Sequence, residues 1–234
     1  MMFVLGLTGS IGMGKSETAK MFRRLGVPVY DADAEVHKLL ARGGEAVAAV
    51  EAAFPGVVKD GAVDRQALGA RVFGKPDELR RLEAILHPRV GARQRRFLAR
   101  HAARGTRLVV LDIPLLFEGN GEARCDATVC VSAPPGLQKW RVMRRPGMTE
   151  QKFHDIVARQ VPDKVKRQRA DYVVLTGLGR AESFRHVARI TAECRAREGH
   201  VWPPRRRPRP RPFGHPSRRP VHARNRPRHR NHRT

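Results

Sequence analysis

An apolar run, Phe3-Val4-Leu5-Gly6-Leu7, leads almost directly into Gly9-Ser10-Ile11-Gly12-Met13-Gly14-Lys15-Ser16, and a helix-forming stretch from Glu17 to Leu25 follows. No other feature restricts the fold as much. G-x-x-x-x-G-K-S needs a strand before it and a helix after it, because the glycines must let successive N–H groups turn inward at a helix N-terminus. Lys15 then offers a mobile ammonium and the Ser16 hydroxyl a ligand for Mg²⁺. The arrangement implies a site for a nucleoside triphosphate.

With 234 residues the chain can bury one substantial core, with room for a small inserted subdomain. No apolar stretch reaches the ~18 residues of a membrane span, and Met1–Leu7 is too short for a signal peptide. Cys125, Cys130 and Cys194 form no metal-ligand spacing, and their odd number argues against a disulfide framework. A cytoplasmic, monomeric protein is expected. The formal charge of +25 suggests nucleic acid until it is located. Residues 203–234 hold 12 Arg, no Lys and no acid, so residues 1–202 carry only +13. The charge belongs to two separate things.

Short β-branched runs alternate with longer amphipathic segments, which points to an α/β fold with a parallel sheet. Strands are expected at Phe3–Thr8, Val27–Tyr30, Arg107–Asp112, Ala127–Ser132 and Tyr172–Leu175. Helices are expected at Lys15–Leu25, Pro135–Arg145, Thr149–Val161 and Ala181–Arg197. The segment from Ala32 to Gly105 shows no convincing strand and reads as helices at Ala34–Ala41, Glu45–Phe54, Arg65–Phe73 and Asp77–Ala103. So long a crossover should form a helical outgrowth above the carboxyl edge of the sheet. Pro88 should interrupt the longest of these helices or fix the chain entering its second half. From Pro203 onward almost nothing is apolar, and eight of the 17 prolines fall there. That tail is expected to be disordered, and either a dispensable solvated extension or a weak, non-specific binder of nucleic acid or acidic surfaces.

Three further groups carry chemistry. Asp31-Ala32-Asp33 ends the second strand, where a carboxylate can orient a hydroxyl for attack on a γ-phosphate and take its proton. The same aspartates suit capping of the next helix, Asp33 in particular, and both readings stand. Leu108-Val109-Val110-Leu111-Asp112 has the form of a Walker B strand, whose acid helps hold Mg²⁺. The following Leu115-Leu116-Phe117 either lines a substrate pocket or packs in the core. Gln138, Arg141 and Arg145 share one helix face. Two guanidinium groups there can close over phosphates, although a solvated basic face has the same pattern.

Together these residues resemble dephospho-CoA kinases. The resemblance rests on Leu7–Ser16, on Leu25-Gly26-Val27-Pro28-Val29 leading into Asp31-Ala32-Asp33, and on Leu82-Glu83-Ala84-Ile85-Leu86-His87-Pro88. It continues through Pro114-Leu115-Leu116-Phe117-Glu118 and Arg169-Ala170-Asp171-Tyr172-Val173-Val174, covering about residues 1–197. It implies a three-layer P-loop fold with a five-stranded parallel sheet and one kinase domain, 1–202. Within it the core would be 1–31, 106–140 and 170–198, the helical CoA domain 32–105 and the lid 141–169.

The implied activity is transfer of the ATP γ-phosphoryl group to the ribose 3′-hydroxyl of dephospho-CoA, with Mg²⁺. Carried over by position, Gly12, Met13, Gly14, Lys15, Ser16 and Glu17 wrap the ATP phosphates, with Arg145 beside them. Asp33 activates the acceptor, and Arg141 is the lid arginine. Asp31, His87, Leu115 and Glu118 fall on the acceptor side, and Ser16 and Asp112 on the metal. Three positions depart from the family: Glu17 for a usual Thr, Pro146 for an Asp, and Leu175 for an acid. Two other readings compete, namely another small P-loop kinase and an ATP-dependent nucleic-acid-binding protein. Truncation after Trp202 is expected to leave phosphotransfer unchanged in a coupled assay across dephospho-CoA, AMP and nucleosides. A loss of turnover would place the tail in the catalytic machinery.

Overall fold

A computed structural model describes residues 1–203. The disorder expected of the tail therefore lies outside the described residues. Five parallel strands form the central sheet: β1 (Phe3–Thr8), β2 (Val29–Asp31), β5 (Leu108–Asp112), β6 (Ala127–Ser132) and β7 (Tyr172–Leu175). Their spatial order is β2-β5-β1-β6-β7. β1 is central, buried along its whole length. It pairs Leu7 with Asp112 on one side and with Val129 on the other. Strands covered on both faces need continuous rather than alternating apolar sequence, and Phe3–Leu7 provides it.

Alternation along β1 divides the core into two layers. Phe3, Leu5 and Leu7 join Phe22 of α1 (Lys15–Arg24) and Val187 and Ile190 of α9 (Arg180–Ala196) on one face. Val4 faces the other way, with Tyr30, Val109, Leu111 and Leu98 of α5 (Pro76–Ala103). The result is the three-layer sandwich expected from the sequence. A third apolar cluster, including Leu39, Val50, Phe54, Val63, Leu68 and Leu82, stands apart. It is the private core of the helical outgrowth, built from α2 (Ala32–Leu40), α3 (Val47–Ala53), α4 (Arg65–Val72) and the first half of α5.

The outgrowth corrects the sequence reading twice. It contains a small antiparallel hairpin, β3 (Val58–Lys59) and β4 (Ala62–Val63), where no strand was expected. Asp60 and Gly61 turn it with φ of 50° and 75°, the two positive φ values that a two-residue Asp-Gly turn supplies. Helix α5 also runs through Pro88 without a break over 28 residues. Side chains bond carbonyls on either side of the proline. The Arg89 guanidinium donates to Ile85 O at 2.7 Å, and the Tyr30 hydroxyl to Val90 O at 2.9 Å.

Beyond β6 lie α6 (Pro135–Met143), α7 (Glu150–Ala158) and α8 (Asp163–Arg169). Pro135 opens α6 as expected, and Thr149 caps α7 by accepting from Lys152 N. Helix α8 follows Pro162 directly, where the sequence pattern predicts no helix. Among the described residues no helix is long and apolar enough to cross a membrane, and the three cysteines are unpaired thiols. Phe22 is fully buried between α1, the sheet and α9. Phe22→Ala is expected to cost about 3–5 kcal/mol in urea unfolding. A loss below about 1 kcal/mol would show that this layer repacks freely.

Candidate active site

The turn between β1 and α1 is a cradle of free amides. Gly12 and Gly14 have φ of 76° and 96°, values that side-chain-bearing residues rarely adopt. Space forbids a side chain as well. A Cβ on Gly12 would lie 2.5 Å from Val142 Cγ2 and 2.9 Å from Gln138 O. Gly14 occupies the N-cap position of α1 and brings no side chain to bond its first amides. The first intrahelical acceptor serves Thr18 N, which leaves the N–H groups of Lys15, Ser16 and Glu17 directed at the cleft with the positive end of the helix dipole.

A cavity of about 640 Å³ opens over this cradle. Gly12, Gly14, Lys15, Ser16 and Glu17 line it from below, Arg141 and Arg145 from α6 and the turn after it, and Asp33 from α2. Phosphate loop, paired arginines and an aspartate thus meet around one space. Arg141 extends from α6 and donates to Thr176 Oγ1 at 2.9 Å and Thr176 O at 3.0 Å. It also reaches Gly12 O at 3.4 Å. These partners are all neutral oxygens, so its charge is not cancelled by them. Thr176 ties the arrangement together, since its hydroxyl donates to Met13 O at 2.6 Å.

Lys15 Nζ donates to Asp112 Oδ1 at 2.6 Å, and both side chains are largely buried. Burial raises the Asp112 carboxyl above its ordinary range against the pull of Lys15, and the charges of Asp31 and Asp33 push it the same way. Asp112 thus stands among acids, with Lys15 as its direct cationic partner. Hydroxyl and carboxylate oxygens are hard donors and fit a Mg²⁺ ion. No three His, Cys, Asp or Glu side chains form a metal cage among the described residues. An ion held here would take its other ligands from phosphate and water, as Mg²⁺ commonly does.

The remaining expected residues separate by position. Met13 is buried, its thioether facing Ala133 N at 3.1 Å, so it serves the cradle through its backbone. Asp31, not Asp33, caps α2, accepting from Ala34 N at 2.9 Å. β2 stops at Asp31, so strand alternation does not pair the two aspartates, and Asp33 is freed into the cavity. Leu116 and Phe117 are core residues, whereas Leu115 is half-exposed. His87 is exposed on α5 and does not line this cavity. Glu118, expected near the acceptor, spends one oxygen on partners within the protein, Val161 N at 3.0 Å and Lys166 Nζ at 2.8 Å. Burial opposes its ionisation, yet that ammonium and backbone N–H hold its carboxyl below the usual range.

The Glu17 departure is explained by its neighbours. Its carboxylate pairs with Lys20 at 2.7 Å and Arg180 at 3.2 Å. The lysine contact, ahead of the opposing effect of burial, lowers its carboxyl. The acid at the start of α1 is therefore locally neutralised. Pro146 lies in the exposed turn between α6 and α7. Nothing in the structure explains Leu175.

The family pattern of dephospho-CoA kinase matches residues 3–179. A dephospho-CoA kinase of Paramagnetospirillum magneticum is 68% identical over 166 residues, 71% of this chain and 78% of the relative. One from Mesorhizobium japonicum is 54% identical over 198 residues, 85% of this chain and all of the relative. Among solved structures, a Thermus thermophilus protein superposes with a TM-score of 0.71 at 36% identity, covering 82% of this chain and 97% of its own. A dephospho-CoA kinase from Campylobacter jejuni shares the fold, with a TM-score of 0.57 at 21% identity over 82% and 96% of the two chains. The family pattern spans the amide cradle, Asp33 and Arg141, and the chain belongs to the dephospho-CoA kinase family.

Proposed function

We propose that the chain transfers the γ-phosphoryl group of ATP to the ribose 3′-hydroxyl of dephospho-CoA, giving ADP and coenzyme A, the last step of coenzyme A synthesis. The observation that carries this reading is the lining of one cavity by Lys15 and the amide cradle, by Arg141 and by Asp33. Phosphoryl transfer asks a protein mainly for positioning and electrostatic stabilisation. The amides of Lys15, Ser16 and Glu17 hold the donor phosphates. Lys15 leaves Asp112 for the β,γ-phosphates, exchanging one anionic partner for another with little loss of Coulomb energy. Ser16 and Asp112 would hold Mg²⁺, which supplies charge neutralisation between the β- and γ-phosphates when bound.

On the acceptor side Asp33 orients the hydroxyl and takes its proton as oxygen bonds to phosphorus and the β–γ bridge breaks. Arg141 meets the charge on the transferring group, with Arg145 beside it. Asp31, His87 and Leu115 belong to the acceptor side of the proposal and bear on binding rather than on the transfer. In the same reading the protein is a cytoplasmic monomer, in keeping with unpaired thiols that are buried or partly buried.

Lys15→Ala and Asp33→Asn are each expected to lower kcat at least ~100-fold with the fold intact by circular dichroism. Near-normal turnover by Asp33→Asn would remove its assignment as base. Chelation by EDTA is expected to abolish turnover, with added Mg²⁺ restoring it, and undiminished activity under chelation would exclude the Ser16–Asp112 metal assignment. Mass spectrometry of the product, with the phosphate position resolved, decides the acceptor. Phosphorylation of AMP or a nucleoside in preference to dephospho-CoA would replace the substrate named here.

A further inference from the structure

Three consecutive residues at the exit of α7 reach three different parts of the molecule. The Arg159 guanidinium lies 4.8 Å from the ring centroid of Phe73, in the helical outgrowth. The Gln160 carboxamide oxygen accepts from Ile11 N, in the phosphate loop, at 3.1 Å. Val161 N donates to Glu118 Oε1, in the loop after β5, at 3.0 Å. Outgrowth, donor loop and the loop after β5 are joined within one short stretch of chain.

The stretch is anchored from below. Lys166 is fully buried, with its ammonium 2.8 Å from the same Glu118 oxygen. Ser132 Oγ donates to Asp163 Oδ2 at 2.7 Å, which holds the start of α8 against the end of β6. A buried ammonium facing a carboxylate is costly to assemble and costly to break, so it fixes geometry more than it adds stability. Across the cradle, Gln138 Nε2 donates to Ile11 O at 2.9 Å. Both backbone groups of Ile11 are therefore held by glutamines, one from α6 and one from the α7 exit, the two helices that flank the exposed Pro146-Gly147 turn. Gln160 also lines the cavity that contains Lys15, Arg141 and Asp33.

We propose that Gln160 is a positioning residue for phosphoryl transfer, setting the first turn of the phosphate loop in register with the lid and with the Glu118 loop. This inference rests on the kinase reading above. Gln160 acts through Ile11: its acceptor oxygen engages an N–H two residues before Met13, whose own peptide leads into the free amides. Without that tie the loop keeps its glycine geometry but loses its fixed orientation to the lid arginines. The consequence falls on the transfer step rather than on acceptor binding.

The test uses the full-length chain and Gln160→Met, which keeps the side-chain length and removes the acceptor. Turnover is normalised to the number of ADP sites found by titration calorimetry, so that unfolded protein does not count. Normalised kcat is expected to fall about ten-fold, with the KM for the acceptor moving less than about three-fold. The Ile11 amide should exchange with solvent at least ~10-fold faster. Gln160→Glu retains an acceptor oxygen and is expected to keep both Ile11 protection and more turnover than Gln160→Met. Full normalised turnover by Gln160→Met overturns the proposal. So does lost turnover with the Ile11 amide still protected, or a Gln160→Glu variant less active than Gln160→Met. Failure of the wild-type chain to phosphorylate dephospho-CoA overturns the substrate reading alone, and the same comparison then runs on the acceptor that the wild type does use.

Discussion

Two glycines at positive φ aim the first amides of α1 into the cleft, and the rest of the site is arranged around that constraint. The turn is tightly bordered. Val142 and Gln138 occupy the space a side chain would need at Gly12, and Thr176 does so at Gly14. Each of these neighbours belongs to an element that also brings something to the cavity. Gln138 and Val142 come from the helix of Arg141, and Thr176 holds that arginine in place. A backbone shape thus dictates where the charged side chains can stand.

Electrostatics follows from the same geometry. Lys15 pairs with Asp112 at the cradle, and Lys20 and Arg180 pair with Glu17. Arg141, by contrast, is satisfied by neutral oxygens and carries an uncancelled charge. Lys15 is thus paired with a buried acid, whereas Arg141 meets only neutral partners. Because Asp112 is buried, its attraction for Lys15 is partly offset by desolvation.

Sequence reading succeeded where a local rule had a local cause. The glycine pattern, Pro135 at the start of α6 and Thr149 as the cap of α7 are written in adjacent residues, and all three stand as read. It failed where a local rule was outweighed or overlooked. Pro88 does not break α5, because the helix is packed against both the outgrowth and the sheet, and Arg89 bonds Ile85 O in the turn before the proline. The Asp60-Gly61 turn was visible, but its flanking strands are two residues each, too short for any periodicity to show. Helix α8 was lost because its charged sequence buries Lys166, a residue type that pattern reading places outside.

Sequence by itself determined the strand–loop–helix unit, the parallel sheet, the separate helical outgrowth and the family. Each depends on residue types at fixed short spacings, and backbone sterics translate those spacings directly into conformation. Only the tertiary structure decided which acids are free. Asp31 became a helix cap and Asp33 a cavity residue because β2 ends one residue before α2 begins. Glu118 became a structural ligand because the fold brings the buried ammonium of Lys166, 48 positions away, within 2.8 Å of it. A side chain's role depends on the partners that distant segments bring to it, and long-range packing, rather than any local rule, decides where those segments meet.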